Sequence, residues 1–307
     1  MTRAVVFAYH NVGVRCLRVL LDQGVNVALV LTHEDSPTET IWYDSVAQVC
    51  ADHSIPFITP DDANAPNVVA RIRALAPEFF FSFYYRKMLG ADLLGIPTRG
   101  ALNMHGSLLP KYRGRVPVNW AVLQGERETG ASLHYMEIKP DAGNLVAQTA
   151  VPILGDDTAF EVFQKVTVAA ELTLARALPQ LIAGTAPSVP LNLKAGSYFS
   201  GRKPEDGRID WTRTAAEVNN LVRAVAPPYP GAFADLGSKR IIVARARVAA
   251  AEAMSSVPVA GQIARTSNGS LGFVCGDGKL LIPLRLIVED KTLDASASQT
   301  WLATVKQ

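Results

Sequence analysis

Two polar residues, Asn103 and His105, close a short apolar run, Gly100-Ala101-Leu102. Side chains alternate along a strand, so the amide and the imidazole of this pair share one face. Gly106 follows, where a missing side chain lets a ligand approach the backbone. The chain then enters a loop of Pro, Gly and Arg, Lys111-Tyr112-Arg113-Gly114-Arg115-Val116-Pro117. Asp141 stands in a second loop, Lys139-Pro140-Asp141-Ala142-Gly143. An imidazole oriented by a carboxylate is a general acid/base, and the carboxylate favours its charged form, which predicts a raised pKa. A neutral asparagine beside it supplies a donor for a developing oxyanion. No G-x-S-x-G elbow surrounds a serine, and Ser107 is not placed as a nucleophile. The chemistry these types support is acyl transfer by direct attack of a substrate group, without a covalent acyl-enzyme.

The other histidines carry weaker signals. His10 follows the first apolar run at a ligand-facing strand end, where it would touch substrate or make a loop hydrogen bond. His33 and His53 have polar neighbours and read as surface residues. His134 alternates with Ser132 and Met136 and reads as a structural histidine in a strand. None of these spacings makes a zinc site, and no metal is expected. Cys16, Cys50 and Cys275 form no C-x-x-C pair and read as reduced core thiols.

The elements that must position Asn103, His105 and Asp141 are those of an α/β domain. Ala4 to Tyr9 is a continuous apolar run, as in a parallel strand buried on both faces. Val14, Leu17, Leu20 and Leu21 then fall at helical spacing before Gly24, and Val25 to Leu31 is a second strand. After a polar loop (Thr32 to Thr40), strand and helix alternate to about residue 105, which predicts a doubly wound, mostly parallel sheet. Ligands bind at the carboxyl ends of such strands. The single Gly13 after the first strand is no G-x-G-x-x-G fingerprint, so NAD is not expected. A long helix is predicted from Thr158 to Ile182, and Ala186-Pro187-Ser188-Val189-Pro190 reads as a connection. Beyond it come a helix, Ala215 to Val225, and then short strands separated by Asn-Gly and Asp-Gly turns, as in a smaller OB-like β-barrel. The predicted division is a catalytic domain over residues 1–187 and a C-terminal domain over 188–307 with a linker helix and the barrel.

The chain has 307 residues, 49% hydrophobic and 19% charged, with a formal net charge of +2. Those values suit a soluble protein large enough for two cores and point to no nucleic-acid tail. Neither a signal-peptide pattern nor a spanning apolar segment is read from the sequence, so a cytoplasmic protein without membrane insertion is expected.

Asn103-x-His105-Gly106-Ser107-Leu108-Leu109-Pro110-x-Tyr112-Arg113-Gly114, with Asp141-Ala142-Gly143 downstream, resembles the signature of the folate-dependent formyltransferases. The likeness extends through Val5 to His10, Phe81 to Arg86, Gly125 to Gly130 and Val222 to Pro228, nearly the whole chain. It implies that Asn103, His105 and Asp141 are the catalytic trio. It also implies that 10-formyltetrahydrofolate is held by Lys87, Met88 and Leu89, by Arg115, and by Glu137, Ile138, Lys139, Pro140 and Asp141. His10, Tyr84 and Tyr85 become candidate contacts of the acceptor. The branch it is most similar to formylates UDP-4-amino-4-deoxy-L-arabinose in lipid A modification, associated with polymyxin resistance. The implied partners are therefore folate and a nucleotide sugar, with no metal, no NAD and no nucleic acid; a homo-oligomer is open. Bifunctional members of that branch continue into an NAD-binding decarboxylase domain, and this chain is expected to act without one. Val116 stands where the branch usually has alanine, and Lys87 where it has histidine. Alternative readings are methionyl-tRNA formylation, hydrolysis of formyltetrahydrofolate, and non-catalytic binding of folate or a nucleotide sugar.

Overall fold

The computed structural model describes residues 1–37, 40–249 and 259–305, so part of the predicted Thr32–Thr40 loop lies outside the described residues. The chain forms two compact units. One comprises Met1–Pro117, Glu128–Pro152 and Phe163–Ser200; the other comprises Val118–Arg127, Ile153–Val162 and residues from Gly201 onward.

The first unit is built on a seven-stranded sheet. In chain order its elements are β1 (Arg3–Ala8), α1 (His10–Asp22), β2 (Asn26–Leu31), α2 (Val46–Asp52), β3 (Phe57–Ile58), α3 (Pro66–Ala74), β4 (Phe79–Phe83), α4 (Ala91–Leu94) and β5 (Gly100–His105). A two-residue strand β6 (Arg113–Gly114) precedes β7 (Glu128–Tyr135) and β8 (Leu145–Pro152); helix α5 (Pro117–Leu123), which lies between β6 and β7 in the chain, belongs from Val118 onward to the other unit. The sheet order is β3-β2-β1-β4-β5-β7-β8. The first five strands in that order are parallel, and β7 and β8 run antiparallel to their neighbours. This is the doubly wound sheet the alternation predicts, with its switch point between β1 and β4.

Apolar runs account for the parallel core. Phe79, Phe80, Phe81 and Phe83 of β4 are each at most 1% exposed, and burying one such ring is worth about 1.5–3 kcal/mol. The core on one face gathers Val5, Phe7, Leu29, Phe80, Leu89 and Leu93. On α1, Val14, Leu17 and Leu20 are buried as the spacing predicts. The long helix α6 (Ala159–Ala183) is long and apolar enough by length and composition to cross a membrane, which the sequence reading did not allow for. Val166, Ala169, Ala170, Leu174, Leu178 and Leu181 are buried, so this is the apolar stripe of a core helix. Its solvent side carries a bidentate ion pair from Glu171 to Arg15 of α1, at 2.6 and 2.7 Å. A last short strand, β9 (Tyr198–Phe199), pairs in parallel with β6.

The second unit carries α7 (Ala215–Val225) and a six-stranded antiparallel sheet of OB-like type. Its strands are β10 (Ala232–Leu236), β11 (Lys239–Ala249), β12 (Ile263–Arg265), β13 (Leu271–Val274), β14 (Leu280–Val288) and β15 (Lys291–Leu293). Helix α7 starts at a capping box in which Thr214 and Glu217 satisfy each other's backbone N–H groups. A final helix, α8 (Ala295–Thr304), is capped by Asp294.

Candidate active site

The site forms where β5 and β7 pair antiparallel. Asn103 lies opposite His134, and His105 opposite Ser132. Four polar side chains from neighbouring strands therefore share one face of the sheet. Ser132 supports the turn that follows His105. Its hydroxyl donates to the Ser107 carbonyl at 2.5 Å and accepts from the Leu109 N–H at 3.1 Å and the Gln148 amide at 2.8 Å.

Carbonyl partners fix both ring tautomers, because a carbonyl oxygen can only accept. His105 donates from Nε2 to the Tyr112 carbonyl at 2.7 Å. Its Nδ1 is left facing Asp141 Oδ1 at 3.4 Å, and this is the ring nitrogen free to exchange a proton. His134 donates from Nδ1 to the Tyr135 carbonyl at 2.7 Å. The Nε2 of His134 accepts from the Asn103 amide at 3.1 Å and lies 3.6 Å from the same Asp141 oxygen. The other carboxylate oxygen of Asp141 accepts from the Gly114 N–H at 2.8 Å. The predicted trio is thus brought together, and His134 joins it.

Burial, the dominant influence, holds His105 below the ordinary imidazole range against the opposing pulls of Asp141 and the Tyr112 carbonyl. The expected pull of the carboxylate is present, but desolvation outweighs it. His105 therefore rests as a neutral ring able to take up a proton. Burial opposes ionisation of Asp141, yet contacts with His105, His134 and the Gly114 N–H together hold it well below the usual carboxylate range. The site accordingly contains a fixed anion, the neutral ring of His105, a second imidazole from His134 and an oriented amide. Such a constellation can stabilise an oxyanion and shuttle one proton, the two tasks that acyl transfer by direct attack requires. Non-glycine residues with positive φ gather in its loops: His10 (66°), Tyr84 (58°), Tyr112 (56°), Val116 (47°) and Asp141 (51°). Strain of this kind persists where surrounding structure over-determines the backbone, commonly at functional sites.

The remaining sequence-predicted residues are distributed unevenly. His10 packs against Tyr43 (3.9 Å), Trp42 (4.6 Å) and Phe163 (4.8 Å) between ring centroids, with Tyr84 at 6.5 Å. Its Nδ1 accepts from the Asn11 N–H at 2.9 Å, which places the proton on Nε2. Burial, aided by Arg86, lowers its pKa to about 3, so it is a neutral donor. Tyr85 points into the core instead, packing on Phe7 and stacking on His33 at 4.2 Å. His33 is therefore not a surface residue. It is half-buried, accepts from the Arg86 N–H at 3.0 Å, and has its pKa lowered to about 4, chiefly by burial.

Leu89 is 3% exposed within the core, whereas Met88 (57%) and Ile138 (62%) present exposed apolar side chains. Lys87 donates to the carbonyls of Pro60 and Asp61. Arg115, Glu137 and Lys139 are exposed, and Pro140 is half-buried. Among the described residues, no group of three His, Cys, Asp or Glu could hold a metal ion.

The chain belongs to the formyl transferase family: residues 7–178 match the formyl transferase domain and residues 202–300 the formyl transferase C-terminal domain. Solved structures share the fold over both units. An N-formyltransferase from Helicobacter canadensis, in complex with folinic acid and dTDP-3-aminofucose, matches with a TM-score of 0.68 at 20% identity, covering 92% of this chain and 99% of that one. WlaRD, a sugar 3N-formyl transferase solved in the presence of dTDP and 5-N-formyl-THF, matches with a TM-score of 0.69 at 18% identity, covering 95% and 99%. A 4-N formyltransferase from Francisella tularensis matches with a TM-score of 0.65 at 19% identity, covering 79% and 96%.

Proposed function

We propose that this protein transfers the formyl group of 10-formyltetrahydrofolate to the amine of a nucleotide-linked amino sugar, with UDP-4-amino-4-deoxy-L-arabinose, the precursor of a lipid A modification, as first candidate. The observation that carries the reaction is the cluster of Asn103, His105, His134 and Asp141, whose neutral ring and fixed carboxylate suit attack by an amine. The sugar amine attacks the formyl carbon, and the oxygen that becomes anionic accepts from the second N–H of the Asn103 amide. Nδ1 of His105 takes the proton released by the amine and delivers it to N10. The bond from the formyl carbon to N10 then breaks, leaving a formamide and tetrahydrofolate. Asp141 stays ionised throughout and stabilises the imidazolium. Met88, Arg115 and the Glu137–Asp141 loop are the proposed folate contacts, and His10 and Tyr84 those of the acceptor.

The folate and the sugar are supported by the ligands named for the N-formyltransferases above, whose chains are matched almost end to end. Several cations of the second unit are engaged with carboxylates, which lends no support to a transfer-RNA acceptor. Arg208 and Arg240 pair with Asp235, Arg213 with Asp210 and Glu217, Lys239 with Glu289, and Arg245 with Glu161.

A panel of UDP- and dTDP-linked amino sugars with 10-formyltetrahydrofolate tests the acceptor. Formamide product on a nucleotide sugar is expected; turnover only with methionyl-tRNA, or formate release with no amine present, overturns the reading. Asn103→Ala is expected to lower kcat by about 10²–10³, the usual loss for one oxyanion donor. An undiminished kcat would remove the amide from the mechanism.

A further inference from the structure

The two backbone groups that hold the catalytic pair lie on either side of one residue, Arg113. The Tyr112 carbonyl accepts from His105 Nε2, and the Gly114 N–H donates to Asp141. Both belong to β6 and its approach, which lie outside the seven-stranded sheet. The sheet partner of β6 is β9, in a separate two-stranded ribbon. Residues 197–199 fall between the two family-matched regions, which end at 178 and begin at 202.

We infer that Ser197 and Phe199 are positioning residues, setting the His105–Asp141 geometry through the backbone of β6. Ser197 accepts from the Tyr112 N–H through its hydroxyl at 2.9 Å and from the Arg113 N–H through its carbonyl at 3.0 Å. The Phe199 carbonyl accepts from the Arg115 N–H at 3.0 Å. The Phe199 ring stacks on that of Tyr112, with centroids 5.3 Å apart and planes within 12°. At Gly114, where φ is +98°, a Cβ would collide with the Phe199 carbonyl, so the two strands meet at backbone contact distance. A ribbon of two-residue strands has little intrinsic stability, and Tyr112 is itself held at a φ of 56°. Seating β9 therefore decides where the Tyr112 carbonyl and the Gly114 N–H stand. Those in turn decide the tautomer of His105 and the distance from its Nδ1 to Asp141. The charged and titratable groups facing His105 are Asp141 from its loop and His134 from β7.

This inference rests on His105 and Asp141 being the catalytic pair. The test uses the full chain with Phe199→Ala, Phe199→Tyr and Ser197→Ala, with His105→Ala alongside. Histidine side-chain 15N spectra at neutral pH report the tautomer, with His105 assigned by its loss in His105→Ala. Formyl transfer from 10-formyltetrahydrofolate to UDP-4-amino-4-deoxy-L-arabinose reports kcat and KM. The parent is expected to show the single Nε2–H tautomer, and Phe199→Ala and Ser197→Ala a mixture. Their kcat is expected to fall by about tenfold or more, since misplacement near 1 Å costs about 10²-fold, with both KM values within about twofold. Phe199→Tyr is expected to restore the parent values. An unchanged His105 spectrum in both Phe199→Ala and Ser197→Ala, or a loss confined to KM, overturns the inference. Near-normal turnover by His105→Ala would instead sink the catalytic reading on which it rests.

Discussion

Replacing His105 with alanine is expected to lower kcat for formyl transfer by about 10²–10⁴, the range for loss of a positioned acid/base, with little change in KM for either substrate. The ring is buried, its Nε2 is committed to the Tyr112 carbonyl, and only Nδ1, 3.4 Å from Asp141 Oδ1, is left to exchange a proton. Water is a poor substitute because Asp141 already occupies the polar side of the ring. Steady-state kinetics with saturating 10-formyltetrahydrofolate would check this, and a kcat within a few-fold of the parent would remove His105 from the chemistry. The parent's pH profile carries a companion signature. Burial holds the imidazole below its ordinary pKa, so the neutral, proton-accepting form prevails at neutral pH and the His105-dependent acid limb lies below about pH 6.5.

Asp141→Asn is expected to cost a comparable factor of about 10²–10⁴ in kcat, since it disables the same acid/base. The carboxylate is the principal influence raising the His105 pKa against burial. Without it the ring becomes a weaker base, and the acid limb of kcat/KM moves to lower pH. An asparagine amide also places hydrogens where one oxygen now accepts from Gly114 or the other faces Nδ1 of His105. Stability supplies an independent check. The pKa of Asp141 in the fold lies below its unfolded value of about 3.9. Its ionisation therefore contributes stability that is present above about pH 4 and lost as pH falls through the folded-state value. Denaturant melts should show the gap between parent and Asp141→Asn narrowing from pH 7 to pH 3. A gap independent of pH, with an unmoved acid limb, would show that the carboxylate is not coupled to His105.

How much of this was legible in the residues differs from element to element. Asn103 and His105 could be paired because a period of two is a property of any strand. The sheet of the first unit was legible because β1, β2 and β4 each carry a run of apolar residues, interrupted only by Arg3, Asn26 and Ser82, as strands buried on both faces do, in alternation with helical patterns. His134 was read as structural because alternation tells which residues share a face but not which strand lies opposite. Its place beside Asn103 depends on β7 pairing antiparallel with β5, between strands separated by a loop and a helix. The ribbon of β6 and β9 carries no periodic signal, since two residues cannot show a period. The resemblance made Tyr85 and Leu89 candidate contacts, and packing, which no local pattern shows, buries the Leu89 side chain and sets the partly buried Tyr85 ring against the same core.

The sequence by itself determined the α/β framework, the apolar core strands and the shared strand face of Asn103 and His105. Local spacing and side-chain type suffice for those. Only the tertiary structure decided that His134 holds the Asn103 amide, that the Tyr112 carbonyl selects the His105 tautomer, and that His105 rests neutral beside an ionised Asp141. Those properties depend on register, on backbone groups brought from distant segments, and on the desolvation of a ring whose burial no neighbour in sequence reveals.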